Sequence, residues 1–173
     1  MTIHSEHPFL PPESDRSPAR RFRGRLPAPV TVWTSGTGGA KPAGLTVSSL
    51  LISDGDPSEL IGLIDPDSDL ADAIARHGTI AVSLLARSDH ALAEAFAGTA
   101  PAPGGAFRLT EWTDTDWGPV ITGTSAWLGA RVIDEPRSAG WALLVQAVIE
   151  RVELTQPTDE PLAHLRGRYG SVS

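Results

Sequence analysis

The chain has 173 residues, 40% apolar and 20% charged, which is enough for one domain with a real core. Its 17 glycines and 15 prolines make turns frequent and argue against a helical bundle, and the lack of cysteine removes disulfides, thiolate metal sites and cysteine nucleophiles. A formal charge of -7 argues against general nucleic-acid binding. With no membrane-length apolar run and no signal-peptide core, a cytoplasmic globule is the expectation.

Residues 1–22 are polar and Pro-rich and read as a flexible N-terminal arm ahead of one domain over 23–173. Four arginines, Arg20, Arg21, Arg23 and Arg25, mark the junction. They read as a basic patch for an anionic ligand or, more commonly for such runs, as a solvated lead-in. Pro29 to Thr34 (PVTVWT) is a strand by residue type, and Gly36-Thr37-Gly38-Gly39 a turn. Ala43 to Ile52 reads as one strand and Glu59 to Ile64 as the next.

Two amphipathic stretches predict helices. Ser68 to His77 carries Leu70, Ala73 and Ile74 on one face behind a Ser or Asp cap, and Ser88 to Ala97 is closed by Gly98. Thr79 to Ala86 between them is a buried strand, and further strands are predicted over Phe107 to Trp112, Ser125 to Ile133 and near Leu162 to Tyr169. Trp141 to Leu154 is ambiguous. Its apolar residues fit a helical stripe, its β-branched content favours a strand, and Gln146 and Glu150 share a strand face with Leu144 and Val148.

The residues offer no obvious reacting group. His77, His90 and His164 follow no ligand spacing, His4 and His7 lie in the arm, and no metal site is expected. Lys41 is followed by Pro42 rather than by a helix, so the Gly36 loop is no phosphate loop. There is no Gly-x-Ser-x-Gly elbow. An enzyme built this way would borrow its chemistry from a cofactor.

Taken in order, several segments resemble the flavin reductase-like family with the FMN-binding split barrel. Gly44-Leu45-Thr46-Val47-Ser48-Ser49-Leu50 is similar to that family's Gly-x-Thr-x-Ser-Ser strand end, following Pro29–Thr34 at a typical interval. Asp65-Pro66-Asp67-Ser68-Asp69-Leu70 occupies the place of its phosphate-side turn. Ala93 to Gly98, Trp117-Gly118-Pro119-Val120, Ala126-Trp127-Leu128 and the ending Pro161 to Tyr169 continue the series. The resemblance implies a mainly β fold, a split barrel (antiparallel and Greek-key-like) with two or three short helices. It also implies that Gly140 to Leu154 is a strand.

The same resemblance implies a function: NAD(P)H-dependent reduction of FMN or FAD by a homodimer, with a flavin monooxygenase as a possible partner. The alternatives are a non-catalytic flavin carrier or sensor, or a barrel for another ligand such as deazaflavin or haem. Thr46, Val47, Ser48, Ser49, Ser68 and Arg166 are the expected cofactor-binding residues and Trp141 the substrate-side residue, with no catalytic side chain required. Asp69 and Leu70 stand where the family often has Arg and Thr, Asp65, Asp67 and Asp69 would repel a phosphate, and Trp141 replaces a frequent His.

Overall fold

The computed structural model describes residues 17–171, so most of the expected arm, with His4 and His7, lies outside the described residues. The rest of the arm carries α1 (Pro18–Arg23), capped by Ser17, whose Oγ accepts from the Arg20 amide. Then come β1 (Ala28–Pro29), β2 (Thr31–Ser35), β3 (Ala43–Val47), β4 (Leu50–Ser53), β5 (Glu59–Ile64), α2 (Asp69–His77), β6 (Thr79–Leu84) and α3 (His90–Ala97). The chain continues through β7 (Trp112–Thr113), β8 (Val120–Ile121), β9 (Ala126–Val132), β10 (Arg137–Ala139), β11 (Ala142–Leu154), β12 (Leu162–Leu165) and β13 (Arg168–Ser171).

The main sheet is antiparallel, in the order β3-β2-β6-β9-β11-β5-β4, with β10 paired to β11. Its two edge strands, β3 and β4, are joined by only Ser48 and Ser49. A two-residue link cannot span seven strands of a flat sheet at about 4.8 Å each, so the sheet curls until its edges meet. The amide of Leu63 donates to the Ser49 carbonyl at 2.9 Å and pins the link to β5. The mainly β, curled antiparallel fold with three helices agrees with the fold class expected from sequence. Among the described residues, no helix is long and apolar enough to cross a membrane.

The curled sheet encloses one core, in which Trp33, Leu60, Leu70, Ile80 and Val145 are buried. α2 closes one side of it with the stripe Leu70, Ala73, Ile74. The helix starts at the Ser68 cap and stops at Gly78, whose φ of 68° lets its amide reach the Ile74 carbonyl. A second core lies outside the sheet, where α3 covers Val30, Val32, Leu85 and Leu162 with Leu92 and Phe96.

Three expected strands are corrected, the last near Leu162 to Tyr169 being a hairpin of β12 and β13 that turns at Arg166–Gly167. Ala43 to Ile52 is two strands, because the chain changes partner from β2 to β5 at Ser48–Ser49. Its unbroken β propensity hides that switch. Phe107 to Trp112 is no strand: Ala106–Leu109 is a 3-10 turn, with Phe107 packed edge-on to Phe96 at 5.0 Å and the Trp112 Nε1–H donating to the Phe107 carbonyl. Packing under α3 overrides the local preference.

The ambiguous segment is a strand of 13 residues. A bulge between Ile149 and Arg151 resets its register against β9. The bulge, together with an outward face that is partly apolar, explains why strict alternation fits the sequence poorly.

Candidate functional site

The Ser48–Ser49 link is where the sheet closes, and it is the part of the expected site with unspent donors. Both serines are half-buried, and among the described residues neither hydroxyl makes an intramolecular hydrogen bond. Their neighbours differ. The Thr46 hydroxyl donates to the Ala93 carbonyl at 2.7 Å, tying β3 to α3. The Val47 carbonyl accepts from the buried Thr31 hydroxyl at 2.7 Å, and Thr31 Oγ1 in turn accepts from Trp33 Nε1. These bonds make the end of β3 rigid, which is what a backbone surface for a planar ligand requires.

Ser68 is already employed as the α2 cap. Its Oγ donates to the Asp65 carbonyl at 2.7 Å and accepts from the Ala71 amide at 3.2 Å. The Asp65 carboxylate accepts from the Asp67 amide within the same turn. The Asp67 and Asp69 side chains are exposed.

Register brings several of these groups to one region. Leu63, bonded to Ser49, faces Leu144 of β11, and Ile64 faces Leu143. Trp141 therefore lies beyond Ile64, at the end of the β5–β11 pair from which the Asp65–Ser68 turn departs. Its indole is 76% exposed. Arg166 is placed elsewhere. It occupies the β12–β13 turn in a separate sheet, where its amide donates to the Gly24 carbonyl, and among the described residues no hydrogen bond joins it to the serines.

Beside this region the outward face of β4, β5 and β11 is partly apolar, with the hydrogen-bonded pair Gln146 and Glu59 set among its aliphatic residues. Leu51 faces Ile61, and Leu63 faces Leu144, with Leu51 69% exposed. Leu51, Ile61, Leu63 and Leu144 are thus neighbours rather than scattered surface residues.

Sequence reading missed two features. Glu150, set outward by the bulge, accepts from Trp117 Nε1 at 2.6 Å and from Arg131 Nε at 2.8 Å. These hydrogen bonds, Arg131 first, hold its carboxyl below the usual carboxylate range. Trp117 lies flat over Gly129, where no side chain stands. Only the unusual Trp-Gly-Pro run hinted at this clamp. The second is a cavity of about 450 Å³ between the Gly36–Pro42 loop and Phe107, Trp112 and Asp114. It opens at the opposite end of the β2–β3 hairpin from Val47, so it is separate from the serine link.

Residues 23–173 match the family described as flavin reductase like domain. The chain belongs to that family. No curated protein matches its sequence. Among solved structures it is similar to a nitrilotriacetate monooxygenase component B homolog from Mycobacterium thermoresistibile, with 23% identity over 90% of this chain and 85% of that one and a TM-score of 0.79. The NADH:FAD oxidoreductase of Streptomyces globisporus gives 24% identity, coverage of 95% and 97%, and a TM-score of 0.78. The styrene monooxygenase flavin reductase of Pseudomonas putida gives 18%, coverage of 91% and 98%, and 0.77. At these identities the likeness establishes the fold. The Streptomyces protein has also been solved in complex with NAD and FAD fragments.

Proposed function

We propose that this flavin reductase-like chain is an NAD(P)H-dependent reductase of FMN or FAD that supplies a flavin monooxygenase. The family match over 23–173 carries the reading, and the names of the similar structures, components of monooxygenase systems, support it. A bound flavin supplies the electron acceptor itself, which is consistent with a site that offers hydroxyls, amides and apolar surface. In this reading Ser48 and Ser49 donate to the flavin phosphate, and the rigid end of β3 lines the ring. Ser68, whose hydroxyl and amide are already used in the cap and turn, orients the α2 N-terminus, and the first-turn amides of Asp69 and Leu70 are the donors offered to the phosphate. Trp141 flanks the place where the nicotinamide stacks at roughly 3–3.5 Å, so its role is to admit or exclude the donor.

A homodimer is part of the proposal. The apolar outward face of β4, β5 and β11 adjoins the serine link, so a second copy seated there would cover the leucines and wall the flavin site.

The test is the absorption spectrum of the purified protein together with nicotinamide oxidation in the presence of FMN or FAD. Oxidation that depends on added or bound flavin is expected. A yellow protein inert toward both nicotinamides would make it a carrier or sensor, and a spectrum of another chromophore would make the barrel a site for another ligand.

A further inference from the structure

The chain is acidic overall, yet its positive charge is unevenly distributed. α1 ends at Gly24, and the Gly24 carbonyl accepts from the Arg166 amide at 2.8 Å. That bond sets the tip of the β12–β13 hairpin directly against the α1–β1 junction. Arg21, Arg23 and Arg25 from one segment thereby join Arg166 and Arg168 from the other, far apart along the chain. All five are exposed, and among the described residues none has a carboxylate within salt-bridge distance. Arg23 also lies close enough to His164 to help hold its imidazole pKa down, after burial.

Three exposed apolar side chains lie in the same two segments: Phe22 at 68% exposure, Leu26 at 51% and Leu165 at 41%. Leu165 pairs with Arg168 across the hairpin. Unpaired arginines around an exposed aromatic and two leucines have the composition of a protein-binding surface. The elements are a helix turn and a hairpin tip with exposed side chains, whereas the 450 Å³ cavity lies at the Gly36–Pro42 loop. Side chains this exposed do not enclose a small ligand. A bare polyanion would leave the three apolar residues unused, whereas a protein surface with apolar side chains among its carboxylates engages both sets.

We infer that the surface formed by the α1–β1 junction and the β12–β13 tip docks an acidic protein surface with apolar side chains among its carboxylates. Arg forks pair with carboxylates bidentately, and the apolar residues fill the centre. This inference is independent of which flavin or nicotinamide the barrel uses.

The probe is a synthetic peptide of repeated Glu-Glu-Leu-Phe, titrated with the full chain by fluorescence anisotropy. Binding should weaken at least tenfold as salt rises from low to several times physiological strength. Charge reversal by Arg23→Glu together with Arg168→Glu should abolish it, while Phe22→Ser should weaken it several-fold. Both positions are exposed, so an unchanged circular-dichroism melt is expected, and Phe22→Ser serves as an independent variant should the double reversal fail to fold. Absence of binding, binding indifferent to these substitutions, or tighter binding to duplex DNA or phosphatidylserine vesicles would overturn the inference.

Discussion

The indole of Trp33 ends against the backbone of Gly62: a β-carbon there would overlap Cη2 and Cζ2 of the ring. The contact joins β2 to β5 across the interior, so the width of the curled sheet is set by one large residue meeting one absent side chain. Gly62→Ala should therefore cost about 1–3 kcal/mol through overpacking, read as a lower urea midpoint with an unchanged slope. A variant as stable as the parent would mean that the indole can move aside.

The serines divide by what their hydroxyls already do. Ser48→Ala and Ser49→Ala remove unspent donors and should weaken flavin binding by about 1.5–3 kcal/mol, roughly tenfold or more in Kd, with little change in melting temperature. Ser68→Ala removes a helix cap and should cost about 0.5–2 kcal/mol of stability. Titration of flavin fluorescence and thermal melts separate the two effects. If both link variants bind flavin like the parent, the phosphate is held elsewhere.

Glu150 binds Arg131 and Trp117 as a carboxylate, so its folded pKa lies below the unfolded one. Its contribution is fully present above the unfolded value, about 4.3, and is lost as pH falls through the folded value. The pair is partly exposed, so about 1 kcal/mol or less is at stake. Denaturation of Glu150→Gln should show a deficit at pH 7 that closes below pH 4. A deficit of the same size at both pH values would mean that shape, not charge, holds the clamp.

Leu51 is the most exposed member of the outward apolar face. Sedimentation of the parent at micromolar concentration should show a dimer, and Leu51→Glu should shift it to monomer. A monomeric parent would remove the dimer from the proposal.

Trp141→His should speed nicotinamide oxidation without loss of stability, because the indole is exposed in the single chain. If the variant loses its soluble dimer, Trp141 belongs to the subunit interface and does not govern donor access.

Most elements were legible in the sequence because their signals are local. The α2 and α3 stripes, the Ser68 cap and the stops at Gly78 and Gly98 depend on neighbours within a turn or two. β2, β5 and β6 declare themselves by β-branched runs. The motif Thr46-Val47-Ser48-Ser49, ordinary as a strand by itself, pointed to the serine link through the ordered resemblance to the family. Tertiary structure alone decided the rest, since each remaining feature depends on distant residues. The split of Ala43 to Ile52 follows the change of partner from β2 to β5, and the bulge at Glu150 sets its carboxylate against Arg131 and Trp117 from other segments. The 3-10 turn at Phe107 arises from rings on other segments. The meeting of Arg166 with Gly24 follows from a hairpin docked on β1. Propensity acts over a few residues, whereas partner choice is fixed when the sheet closes on itself.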